Sequence, residues 1–159
     1  MKVQGLLDEL RETEAYKNFK TENPTTFFVA GFFVIDLESK TESIQLDFFL
    51  PDQDKIAIFE HPFDKPKISE EEIKQMQLQT TKIKIDIDDL ELTCKTIIKK
   101  KGSAIIPTKI IAILKDNQWN LTCMDNTLGI VRIKLDAITG EQIEFNKGSL
   151  MDFASILRN

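Results

Sequence analysis

Pro24-Thr25-Thr26-Phe27-Phe28-Val29-Ala30-Gly31-Phe32-Phe33-Val34-Ile35 and, about 83 positions on, Pro107-Thr108-Lys109-Ile110-Ile111-Ala112-Ile113-Leu114 decide the reading of this chain. Each is a Pro-Thr pair followed by an apolar run. Proline lacks a helix donor and biases the residue before it away from α, so each pair marks a junction between helix and strand. Before the first junction, Val3, Leu6, Leu7 and Leu10 recur at helical spacing, and Tyr16 and Phe19 less regularly, so one helix is expected over 3–20. After the strand come a polar break at Glu38-Ser39-Lys40 and two apolar segments, 44–50 and 55–59, joined by Pro51-Asp52-Gln53-Asp54. The second junction has the same surroundings. Ile87, Leu90, Cys94, Ile97 and Ile98 form a core-facing stripe on a helix over 87–101, and apolar segments at 119–124, 130–135 and 142–145 follow the strand. A period this long does not suit a solenoid and points to two copies of a small helix-plus-sheet unit.

The expected class is therefore α+β, two helix-on-antiparallel-sheet units over 1–62 and 82–148. Residues 63–81 read as a connector broken by Pro66, with Ser69 capping a short helix to about Gln79 that carries Ile73 and Met76 on one face. Lys82-Ile83-Lys84-Ile85 alternates like a brief strand, Asp86 or Asp88 is placed to cap the second long helix, and Ser149 to cap a last helix over 149–159 containing Leu150, Phe153, Ala154 and Leu157.

At 159 residues, 42% hydrophobic and 30% charged, the chain reads as globular. A domain of this size buries about 70% of its unfolded surface and needs no staples. The net charge of −5 argues against nucleic acid, whose binders carry an excess of Lys and Arg. The basic run Lys99-Lys100-Lys101-Gly102 reads as a helix C-terminus closed by glycine. No stretch is apolar for the length of a membrane span, so no membrane partner is expected. The N-terminus has no signal-peptide pattern. Cys94 and Cys123 read as two buried thiols, and a cytoplasmic location is expected.

No residue pattern points to catalysis. His61, the single histidine, sits between a strand and Pro62, with no activated nucleophile in view. Asp86, Asp88 and Asp89 resemble the start of a calcium loop, but Glu91 stands where that loop needs glycine and Ile97 where it needs glutamate, so they read as capping acids. The scattered glycines form no phosphate loop. The expected catalytic residues, metal ligands and cofactors are therefore none.

Trp119-Asn120-Leu121-Thr122-Cys123 alternates, as do Val131, Ile133 and Leu135 with Arg132 and Lys134, and Asp136-Ala137-Ile138-Thr139-Gly140-Glu141 then forms a turn. Over about 86–145 the chain here resembles the PepSY family, whose members end in a strand, an Asp-Ala-x-Thr-Gly-Glu turn and a strand. The resemblance implies tandem PepSY-like or cystatin-like folds. It also implies a non-catalytic module of the kind linked to peptidase inhibition or sensing, usually outside the cytoplasm.

Phe27-Phe28, Phe32-Phe33 and Phe48-Phe49 each put one ring on each side of a sheet. One helix covers one side only, so the second faces are expected to be buried within the chain or across a homodimer, or kept for a partner. Phe28, Phe33, Phe48, Ile111 and Trp119 are the expected interaction surface. The function read from the chain is a non-enzymatic binding module working through protein contacts or self-association. The alternative is a small-ligand binder using a pocket between helix and sheet or between the halves.

Overall fold

In the computed structural model, which describes residues 1–40 and 42–149, Thr13 divides the first amphipathic stretch. Helix α1 (Val3–Arg11) buries Val3, Leu6, Leu7 and Leu10, and helix α2 (Glu14–Glu22) buries Tyr16 and Phe19. The Thr13 hydroxyl accepts the Tyr16 N–H at 3.1 Å and caps α2. The single helix expected over 3–20 is thus corrected to two, and the break lets Tyr16 and Phe19, out of step with the first stripe, reach the same core.

Strands β1 (Phe27–Asp36), β2 (Glu42–Leu50), β3 (Lys55–Glu60) and β4 (Lys67–Ile68) follow. A 3-10 turn at Ile87–Asp89 leads into helix α3 (Leu90–Lys100). Then come β5 (Lys109–Lys115), β6 (Gln118–Met124), β7 (Gly129–Asp136) and β8 (Gln142–Ser149). The strands form one eight-stranded sheet in the order β4-β3-β2-β1-β5-β6-β7-β8, with every neighbouring pair antiparallel. The halves join where β1 meets β5, with Phe32 opposite Ile113 and Val34 opposite Ile111. The two expected units, 1–62 and 82–148, both contribute strands to this one sheet and side chains to one core cluster. β4, which the sequence reading lacked, lies in the supposed connector. Ser149, expected to cap a last helix, is the final residue of β8, and the rest of that expected helix, 150–159, lies outside the described residues.

All three helices contribute to one core cluster on one face of the sheet, here the front, with Phe28, Phe33, Phe48, Phe59, Trp119 and Leu121. The register slips between Phe28 and Ala30, the mark of a β-bulge. It explains how Phe28 and Phe33, an odd number of residues apart, both face front, while Val29 and Ala30 both belong to the second cluster on the back.

The connector is corrected as well. Residues 69–79 contain no helix and lie as an extended strap, with Ile73 and Met76 packed against the cluster of Val29, Ala30, Phe49 and Ile56. Its backbone is tied down by Ile73 N–H to Asp54 O at 2.6 Å and Gln79 N–H to Phe28 O at 2.9 Å. The Ser69 hydroxyl accepts the Ile56 N–H at 3.0 Å instead of capping a helix. An uncovered apolar back face outweighs local helix propensity here. The brief strand expected at 82–85 is absent too. The N–H groups of Lys84 and Ile85 both reach the Ala137 carbonyl, and the chain passes on to Asp86. That carboxylate accepts the N–H groups of Val3 and Ile87 at 2.9 and 2.8 Å, so one buried acid ties α1 to the 3-10 turn. Asp89 returns a bond to the Asp86 N–H at 2.9 Å, completing a capping box.

Candidate functional site

Strand alternation gives the back of the second half a set of side chains unlike those under the strap. Pairing across the sheet places Phe32, Ile113, Asn120, Lys134 and Glu144 in one row. Val34, Ile111, Thr122, Arg132 and Asn146 form the next. Phe32, Val34, Ile111 and Ile113 are half-buried, while Asn120, Arg132, Glu144 and Asn146 are exposed. The result is an apolar centre passing into a polar, mixed-charge margin, with Lys134 Nζ 4.0 Å from Glu144 Oε1. A shallow depression of about 410 Å³ lies over Ile113, Asn120, Thr122, Arg132 and Lys134.

Where this open face meets the strapped one, Asp47 stands opposite Ala30 and Ile58. It is buried, and burial pushes its carboxyl up to about 6, against the opposing effect of a 2.9 Å hydrogen bond from the Gln45 amide.

Four of the five residues expected to form an interaction surface are placed elsewhere. Phe28, Phe33, Phe48 and Trp119 lie beneath the helices, at most 5% exposed. The Trp119 indole N–H donates to the Ile85 carbonyl at 2.7 Å, so its polar atom is matched as well. A surface built from these four is corrected to a core, because the bulge at Val29 and the helix cover put them on the front. Ile111 alone faces the open back. The residues missed were Asn120, Thr122, Arg132 and Lys134. Their alternation with Leu121, Cys123, Val131 and Ile133 was visible in the sequence, but that these polar faces lie side by side is set by strand order.

Several other polar groups are engaged in structure. His61 Nε2 lies 3.0 Å from Glu9 Oε1 on the surface. Asp125 accepts from the Gly129 and Thr127 N–H groups at 2.7 and 2.9 Å, which holds its carboxyl below the usual range. Cys94 and Cys123 are free, fully buried and in contact, and the hydrogen bond between them pushes the Cys94 thiol up. Among the described residues no His, Cys, Asp or Glu cluster suits a metal ion.

No protein-family model and no curated protein sequence matches the chain. Among solved structures, a candidate lipoprotein from Clostridium difficile 630 is similar, with a TM-score of 0.52 and 12% identity over 85% of this chain and 91% of the other. At that identity the likeness is one of fold: an α+β chain of comparable extent. Among the described residues no helix is long and apolar enough to cross a membrane.

Proposed function

We propose that this protein is a non-enzymatic module that binds another protein, or a second copy of itself, through the open back face of β5–β8 and the adjoining part of β1. The observation that carries the reading is the contrast across one sheet. The strap covers the apolar back of the first half, whereas Ile111 and Ile113 stay half-buried within a polar margin. An apolar centre with a polar rim is the usual anatomy of a protein contact. The non-enzymatic part of the reading is supported by the engagement of Asp86, Asp89 and Asp125 with backbone N–H groups.

A tandem PepSY-like or cystatin-like origin is part of the proposal. Each half runs from helix to four strands. The Asp136 carboxylate accepts the Ile138 and Thr139 N–H groups at 2.9 and 3.0 Å, and Gly140 closes the turn at φ +81°. The two contacting thiols support a reducing compartment, whereas the lipoprotein description of the structural neighbour supports an outer one. Thiol labelling of denatured protein from native cells separates the two, since two reactive thiols fit the cytoplasm and none fits an oxidising site.

The test of binding is a tagged pull-down from the native cell, with light scattering on the pure protein. Wild type is expected to retain one protein at stoichiometric level or to form a dimer. Ile111→Asp and, at an exposed position, Asn120→Arg are expected to lose that association while keeping their circular dichroism. Unchanged association in both variants would remove the back face from the reading. The small-ligand alternative rests on a different place, a hollow of about 790 Å³ between α2 and the β4 edge lined by Phe19, Leu50, Pro66 and Ile68. A co-purified small molecule lost in Phe19→Ala would favour it.

A further inference from the structure

The outer face of α3 carries a feature that the open sheet face does not use. Leu92 and Ile106 are the most exposed large apolar side chains among the described residues, at 73% and 76%. Leu92, Lys95, Thr96, Lys99 and Lys100 fall on one side of the helix by their spacing, and all are exposed. Lys95 and Lys99 continue to Ile106 along a shallow groove of about 420 Å³ floored by Ile98 and Ile105. Glu91, the neighbouring acid, bonds to Lys95 at 2.9 Å. Lys101 lies close by, its Nζ 5.8 Å from the Phe145 ring centre. Positive charge is thus concentrated at one place on a chain of net charge −5. The helix dipole accounts for lysines in a last turn. It does not account for two projecting apolar side chains beside them.

We propose that this patch docks the protein on an anionic lipid bilayer. Leu92 and Ile106 enter the headgroup boundary, and Lys95, Lys99 and Lys100 face lipid phosphates. The argument is charge complementarity together with shape. Side chains this exposed project, Leu92 from the helix and Ile106 from the rim of the shallow groove, which suits insertion between headgroups, and lysines beside them are attracted to an anionic leaflet. Such docking needs no spanning segment, so it is compatible with the absence of one among the described helices. Because α3 covers the front of the sheet, a docked molecule turns its open back face away from the bilayer.

The test is co-sedimentation of the full 159-residue chain with vesicles of phosphatidylcholine alone, or of phosphatidylcholine and phosphatidylglycerol in equal parts. Wild type is expected to pellet with the mixed vesicles at low salt, to be released as salt rises, and to stay in solution with phosphatidylcholine alone. Replacing Lys99 and Lys100 together by Gln is expected to weaken partitioning about thirtyfold, the factor for two lysines near an anionic surface. Leu92→Ser with Ile106→Ser is expected to weaken it as well, with circular dichroism unchanged because both positions are exposed. Failure of wild type to pellet with the mixed vesicles, equal pelleting with phosphatidylcholine alone, or wild-type pelleting by both double variants would overturn the proposal. A partner protein captured by the lysine face without vesicle binding would overturn it too.

Discussion

The back of the sheet is treated in opposite ways in its two halves. Under the strap, Val29, Ala30, Phe49 and Ile56 form a buried apolar cluster on which Ile73 and Met76 pack, with Phe27, Phe32 and Ile58 around it. On the other half the same alternation presents Asn120, Thr122, Arg132, Lys134, Glu144 and Asn146, and no described segment is strapped across them. Both halves bury their front faces in one core beneath the helices. The difference shows that side-chain choice at alternate strand positions, and not the strand pairing, decides which face needs cover. Exposed apolar area costs about 25 cal/mol per Å², so the Phe-rich half recruits a loop and the polar half does without one.

The largest expected effect lies in the front layer common to both halves. Trp119 is fully buried and hydrogen-bonded to the Ile85 carbonyl. Trp119→Ala is expected to cost about 3–5 kcal/mol from the cavity and the orphaned carbonyl, read as a shift of denaturant midpoint. An unchanged midpoint would mean that the two halves do not share a front core.

Asp47 sharpens the comparison through pH. Its carboxyl is pushed up to about 6 by burial at the margin of the strapped face. A raised folded value means that the folded state holds its proton longer than the unfolded one. The contribution is fully present below the ordinary aspartate range and is lost as pH rises through about 6. The span corresponds to about 3 kcal/mol. Asp47→Asn, with no proton to lose, is expected to be more stable than wild type at neutral pH by up to about that amount and equal to it near pH 4. A constant difference across this range would mean that the carboxylate is not buried in the folded protein.

Opening the strap directly comes next. Ile73 and Met76 are half-buried, so replacing both by Ala is expected to cost about 2 kcal/mol in all, less than full burial would imply. Limited proteolysis is expected to move into residues 69–79. Cleavage elsewhere, with this segment still protected, would mean that the backbone bonds to Asp54 and Phe28 hold it without the side chains.

The elements were mostly legible in the sequence, and their partners less so. The apolar run after Pro107-Thr108 located β5, alternation located β6 and β7, and the stripe Leu90, Cys94 and Ile98 located α3, because these signals are local. The break at Thr13 was missed because apolar spacing runs through it and only the cap reveals it. The strap was misread as a helix because Ser69-Glu70-Glu71-Glu72 is a sound helix start, and nothing local says that Ile73 and Met76 are needed on a sheet elsewhere. The turn at Asp36 escaped notice because Lys40 stands at the positive-φ position that Gly140 holds in the otherwise similar turn between β7 and β8. For the site, Ile111 was legible as a second-face residue. Trp119 and Phe48 were not separable from it until strand order and the bulge at Val29 fixed which face was front.

The smallest expected effect tests the open face itself. Ile111 is half-buried between Val34 and Thr122. Threonine keeps its branched shape and strand preference and adds a hydroxyl. If water covers this face, the hydroxyl is solvated and Ile111→Thr costs under about 1 kcal/mol. The matching change under the strap, Ile56→Thr, sets a hydroxyl among Phe49, Val29 and Met76. There it costs about 2–3 kcal/mol, the burial penalty added to the lost methyl. A ratio near two or above between these variants, measured in dilute solution, keeps the contrast between the halves. Equal costs would mean that something covers the second back face in the free protein, and the dependence on concentration says what. A cost for Ile111→Thr that grows with protein concentration assigns the cover to a second copy, since association stabilises by mass action. A cost that stays large at any dilution assigns it to the chain's own residues and withdraws the open face as a binding site.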